Sequence, residues 1–321
     1  KMTFIDNIKK EIGEKRKLRP SSLNAYASNM NKLHKLMFDK DITDLNFLKD
    51  KNKVMKTIDN KKLSTRKSYL AAIVVTLMAF DKDEKLIEKY RDEMEDLAKR
   101  FNTEMQEQKK SEKQDKNWVS LTALRKVMRK YRNELNEKGI FKKSPDDLTN
   151  KEFELLQKWI VASLYILDDA NPALRNDYIM KTISNSDYSK LSEDEKRERN
   201  YLVIKSRNNK SFSLGEYKTS GKYGTKVIPV GKKLNSALNI WLRFNTTGNL
   251  LLNSRKEPMT ANGLTKFLQK TFAPTGKNIS SSLIRHIFIS EKFPAVNDEK
   301  EEVASKMGHS VAQQTLYSKK D

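Results

Sequence analysis

The sequence predicts a mainly α-helical protein with one small antiparallel β-sheet, and three observations carry that prediction. Apolar residues recur at helical spacing through most of the chain. Three short strand-like runs, separated by turn residues, fall together between Tyr201 and Val230. A charged stretch nearly free of apolar side chains, Glu104–Asn117, interrupts the pattern. At 321 residues the chain exceeds one ordinary core and suits two domains. The expected organisation is a helical domain over 1–103, a linker or extended helix end over 104–117, and an α+β domain over 118–321.

Phe4, Ile8 and Ile12 share one face of a first helix. Ser21 or Ser22 is placed to cap a second, whose apolar face is Leu23, Tyr26, Met30, Leu33 and Met37. A looser set follows at Phe47, Leu48, Val54 and Ile58. Ser64 then offers a cap for a helix bearing Tyr69, Ile73, Leu77 and Phe80, and Leu86, Tyr90, Met94 and Leu97 form a further stripe. Four or five such helices make a bundle. In the second segment Ser120 starts a helix through Tyr131, and Thr149-Asn150-Lys151-Glu152 matches a capping box ahead of Phe153, Leu156, Ile160 and Leu164. Tyr201–Ile204, Ser211–Tyr217 and Thr225–Val230 read as an antiparallel meander turned at Asn208-Asn209 and Ser220-Gly221. Helices return over Leu234–Phe244, Thr260–Phe272, Ser281–Lys292 and Asp298–Met307, and Gly308 suits a left-handed cap after the last.

Sixty-four Lys and Arg against 42 Asp and Glu give a formal charge of +22. The natural partner is a polyanion, with nucleic acid first, because basic side chains that neutralise phosphates release counterions. A membrane surface is the rival, but the chain has no long uncharged apolar run and no opening signal peptide, so a soluble intracellular protein is expected. There is no cysteine, and the histidines are only three, His34, His286 and His309. Disulfides, thiolate chemistry and a histidine-cluster metal site are therefore not expected, and no cofactor is called for. Arg66 and Lys67 fall in the first turn of the Ser64 helix, where free N–H groups and basic side chains together suit a DNA phosphate; the plainer reading is a solvated surface pair.

One constellation carries chemistry: Arg175, Lys218, Arg285, His309 and Tyr317, in that order. Breaking a phosphodiester without a metal needs neutralised non-bridging oxygens, an in-line nucleophile and an acid for the leaving oxygen. Two arginines suit the first task because each planar fork reaches two oxygens and keeps its charge. A tyrosine hydroxyl suits the second, and a lysine on a hairpin suits the third, since a desolvated ammonium gives up its proton readily.

Taken with their surroundings, these residues resemble the catalytic domain of tyrosine recombinases, the integrase family of DNA strand-exchange enzymes. The likeness rests on Arg175 in PALRNDY, Lys218 in EYKTSGKYGTKVIPV, Arg285 in SSLIRHIF, His309 in MGHS and Tyr317 in QQTLYSKK. The helical first segment resembles the family's core-binding domain. The Lys- and Asn-rich style is similar to integrases of viruses and mobile elements with AT-rich genomes. The resemblance implies that Tyr317 attacks the scissile phosphate to give a 3′-phosphotyrosyl link, that Arg175 and Arg285 clamp the phosphate, that Lys218 is the acid, and that His309 hydrogen-bonds the phosphate. It further implies a homo-tetramer on double-stranded DNA, working on DNA in the host nucleus or a viral replication compartment. Two positions depart from the family pattern. Ser282 stands where the family has histidine three residues before the second arginine, and it cannot shuttle a proton near neutral pH. Tyr178 stands where an acidic residue is usual, leaving neighbouring Asp177 as the buttress of Arg175. Lys222 is the alternative acid, Lys226 also lies beside the turn, and His286 is a further supporting candidate. Two rival outcomes stay open: type IB topoisomerase-like relaxation, and a DNA-binding relative that has lost catalysis.

Overall fold

The structure, a computed structural model, describes residues 2–106, 109–171, 173–292, 298–308 and 313. It divides into two compact units, Lys1–Glu107 and Gln108–Asp321.

The first unit holds helices α1 (Phe4–Lys15), α2 (Pro20–Phe38), α3 (Lys51–Ile58), α4 (Leu63–Ala79) and α5 (Glu84–Gln106). Its core joins Ile8 and Ile12 of α1, Met30 and Leu33 of α2, and Val54 and Ile58 of α3 to the middle of α4. The run LAAIVVTL is apolar on nearly all sides, which makes α4 the central helix of this unit rather than a surface one. Tyr90 of α5 is wholly buried, and its hydroxyl donates to the Leu48 carbonyl at 2.7 Å, so the polar end is satisfied. Two helix starts differ from the sequence expectation. Helix α2 begins at Pro20 behind Arg19, because proline's fixed φ and missing N–H suit the first helical position; Ser21 and Ser22 lie inside that turn and do not cap. Helix α4 begins behind Lys62, so Ser64 is already inside it and the Arg66 amide donates to the Lys62 carbonyl at 3.0 Å. Arg66 therefore brings no free backbone N–H to a phosphate.

The second unit runs α6 (Glu112–Asn117), α7 (Leu121–Glu137), α8 (Asn150–Ile166), β1 (Lys181–Ser184), α9 (Asn185–Lys190), α10 (Glu193–Glu198), β2 (Asn200–Ser206) and β3 (Asn209–Leu214). It continues through α11 (Ser220–Tyr223), β4 (Lys226–Pro229), α12 (Lys232–Phe244), α13 (Ala261–Phe272), α14 (Ser281–Lys292) and α15 (Asp298–Met307). Ser120 caps α7, the Thr149/Glu152 capping box starts α8, and Gly308 follows α15 at φ +74°. The protein is mainly helical with one small sheet of strand order β1-β2-β3-β4. Strands β2, β3 and β4 form the expected antiparallel meander, but β1 joins β2 in parallel, so the sheet is mixed. A parallel neighbour needs a crossover, and α9 and α10 supply it. Both begin on serine caps, Ser184 and Ser192, whose hydroxyls accept from the amides of Asp187 and Glu195.

Helix α8 is the axis of this unit. Leu155, Leu156, Trp159 to Ile166 and even Gln157 are buried on it. The Gln157 side chain answers for its burial by closing two bonds on one residue: its amide donates to the Leu252 carbonyl at 2.9 Å and accepts from the Leu252 amide at 3.0 Å. That clamp, with Trp241 of α12 donating to the Leu250 carbonyl at 2.8 Å, fixes the irregular chain that leads into α13.

Candidate active site

Arg175 lies in the loop between α8 and β1, and this loop is pinned from several elements. The Tyr165 hydroxyl donates to the Arg175 carbonyl and the Tyr178 hydroxyl to the Leu164 carbonyl, both at 2.6 Å, while the two rings meet edge-on at 5.0 Å. The Asn176 amide donates to the Ala261 carbonyl and the Thr265 hydroxyl on α13, and its oxygen accepts from the Ser281 hydroxyl on α14. Tyr178 thus belongs to the core, which explains why no acid occupies that position.

Arg285 projects from the apolar face of α14 and is fully buried. A guanidinium there is costly without partners. Its Nη1 donates to the Ala173 carbonyl at 2.8 Å, and the Asp177 carboxylate lies within electrostatic reach. Asp177 also accepts from the Arg175 amide at 3.3 Å and feels the Arg175 charge. Arg285, more than a hundred residues along the chain, therefore gathers at one locus with Arg175 and Asp177.

Burial pushes the Asp177 carboxyl above the ordinary carboxylate range; the two arginine charges pull it back only in part, and Glu216 adds to the rise. A carboxyl raised on folding contributes stability below its unfolded value and loses it as pH climbs through the folded one. Asp177→Asn is therefore expected to raise the thermal midpoint at neutral pH, with the gain fading toward pH 3. Melting curves of both proteins across that range check this; a variant less stable at pH 7 contradicts it.

A second segment reaches the same locus. Buried Asn200, at the start of β2, donates to the Asp177 carbonyl at 3.1 Å and accepts from the Glu216 amide at 3.0 Å, tying the arginine loop to the β3–β4 connector. Tyr217 follows; burial, Tyr223 and Asp177 raise its hydroxyl above the ordinary phenol value. Lys218 is exposed next to it. Lys222 is also exposed, its ammonium 5.2 Å from the centre of the Tyr223 ring. Lys226 is half-buried at the start of β4, and desolvation lowers its pKa from the usual lysine value. On α14, Ser282 is exposed and His286 is buried beside Arg285. His309 and Tyr317 lie outside the described residues. Arg66 and Lys67 belong to the other unit, where Arg66 pairs with Asp59 at 3.3 Å and the Lys67 ammonium sits 4.9 Å from the centre of the Phe101 ring.

Sequence reasoning did not single out Asn176, Asn200 or Glu216. A lone buried amide carries no local signature; only the opening of an apolar strand by asparagine, in NYLVI, hinted that Asn200 is more than a turn residue.

The whole chain is similar in structure to a XerA recombinase. The alignment has a TM-score of 0.40 at 10% identity and covers 99% of this chain and 94% of that one. No protein-family model matches the sequence, and no curated protein matches it. Among the described residues, no helix is long and apolar enough to cross a membrane.

Proposed function

We propose that this protein is a site-specific DNA recombinase that breaks and rejoins strands through a 3′-phosphotyrosyl intermediate, serving the integration of a mobile element. The observation that supports the reading best is the gathering of Arg175, Asp177 and Arg285 beside the connector that bears the hairpin lysines. In this reading the Tyr317 oxygen attacks the scissile phosphorus and its proton is lost to water. A new P–O bond to tyrosine forms as the P–O5′ bond breaks. Arg175 and Arg285 neutralise the non-bridging oxygens, and Asp177 holds the arginine loop. Lys218, or Lys222 in its place, delivers a proton to the 5′ oxygen, and His309 hydrogen-bonds the phosphate. The ester conserves bond energy, so rejoining needs no nucleotide cofactor. The partner is duplex DNA, bound largely through phosphates as the charge of +22 favours, with four copies acting on two sites.

The test uses end-labelled, nicked duplexes from candidate element termini, with wild type beside Tyr317→Phe. A protein-linked strand on a denaturing gel that is absent in the variant is the expected result, and exchange between two duplexes then separates recombination from relaxation. Tight, salt-sensitive binding with no adduct on any terminus overturns catalysis and leaves a DNA-binding relative.

A further inference from the structure

The β3–β4 connector touches the end of α15 at several points. The Thr219 hydroxyl donates to the Gly308 carbonyl at 2.5 Å, and the Lys226 ammonium donates to the Ser305 carbonyl. Gly308 is in the left-handed conformation at φ +74°, and a Cβ there would sit 3.2 Å from the Tyr217 ring. The connector is itself closed into a compact loop, because the Tyr217 hydroxyl donates to the Gly224 carbonyl at 2.9 Å and α11 fills the space between.

These contacts share a physical logic. The last carbonyls of a helix have no partner within it and carry partial negative charge. At α15 the Ser305 carbonyl, which also accepts from the Gly308 amide at 3.1 Å, meets a lysine ammonium. That ammonium is held in place by the Tyr217 and Tyr223 rings, whose centres lie 5.9 and 5.1 Å away. Just past the helix, the glycine that turns the chain packs close to the Tyr217 ring and its carbonyl accepts from the Thr219 hydroxyl. The chain leaving Gly308 carries His309 at once and Tyr317 soon after, whereas Lys218 stands between Tyr217 and Thr219 on the clip itself.

We infer that the β3–β4 connector is a clip within one chain, with Thr219 and Lys226 as positioning residues that fix the exit of α15 relative to the hairpin lysine. Its catalytic meaning rests on the recombinase reading. The clip holds the connector that bears the hairpin lysine against the end of α15 at Gly308, and it assigns Lys226 to structure, leaving the acid's role to an exposed lysine of the connector.

The test compares full-length wild type with Thr219→Val, Thr219→Ser and Lys226→Met, each checked for an unchanged thermal midpoint. Amide hydrogen exchange of peptides covering 303–308, without DNA, reads the clip alone. Retention on a nicked duplex reads binding, and the rate of covalent adduct formation reads positioning. For Thr219→Val the expected result is faster exchange, unchanged binding and an adduct rate about tenfold lower, the scale of one lost hydrogen bond. Thr219→Ser restores both. Lys226→Met is expected to speed exchange while leaving the pH profile of cleavage in place. Wild-type exchange in Thr219→Val, an unchanged adduct rate in an active background, an equal loss of binding, or a shifted pH profile in Lys226→Met overturns the clip. An inactive wild type overturns the recombinase reading instead, and the exchange arm still decides whether the clip exists.

Discussion

Replacing Arg285 by lysine is expected to lower covalent adduct formation by about 10²–10³-fold, the scale seen when one preorganised donor to a developing charge is removed. The charge is nominally kept, so the loss isolates geometry. Arg285 is fully buried and donates one nitrogen to the Ala173 carbonyl, and in the recombinase reading its planar fork serves the phosphate as well. An ammonium is a compact point donor that cannot span both tasks, and in so buried a place it sheds its proton more readily than a guanidinium. Binding, which draws on many of the 64 basic residues, is expected to persist with its salt dependence intact. Single-turnover adduct rates at saturating protein, beside retention curves, check this. An adduct rate equal to wild type would remove Arg285 from the phosphate clamp and the recombinase reading with it.

Trp241→Ala is expected to destabilise the second unit by about 3–5 kcal/mol, the usual cost of emptying a large aromatic site in a core. Trp241 is wholly buried on α12, and its ring centre lies 5.3 Å from that of Phe153 on α8. Its indole N–H serves the Leu250 carbonyl, but the Asn245 amide also reaches that oxygen at 3.2 Å. The carbonyl thus keeps a partner, and the loss is mostly cavity rather than hydrogen bond. Trp241→Phe, which drops the N–H and keeps most of the volume, is accordingly expected to cost far less. Urea unfolding of the three proteins orders them; equal losses for Ala and Phe would mean that the indole N–H dominates.

How much of this was legible in the sequence depends on the range of the interaction that decides each feature. Capping by Ser120 and Thr149, the turn at Gly308 and the helices after β4 are set within a few residues, and the sequence displays them. Strand β1 was not read, because four residues, KTIS, are too few for a period to stand out, although Ser192 to Glu195 spelled the start of the crossover helix in plain capping chemistry. The starts of α2 and α4 were displaced because serines near a helix start suggest caps, whereas Pro20 and the amide of Arg66 show where the ladders begin. At the site, a buried arginine in an apolar helix was visible at Arg285, since sequence alone shows a charge amid Leu283, Ile284, Ile287 and Phe288. Its meeting with Asp177, and the bridge at Asn200, depend on loops brought together from distant parts of the chain, and no local pattern encodes them.

Strand β4 lies at the rim of the sheet, and its own donors decide what can be added there. The Val230 amide donates across to the Lys210 carbonyl, and the register sets Ile228 opposite Phe212, so the amides of Lys226 and Ile228 face inward. The outward positions fall to Val227 and Pro229, and proline has no N–H to give. A foreign strand arriving at that rim would find one donor in four residues. Strand addition at that rim is thereby disfavoured, which guards a chain carrying a charge of +22 against edge-to-edge pairing there.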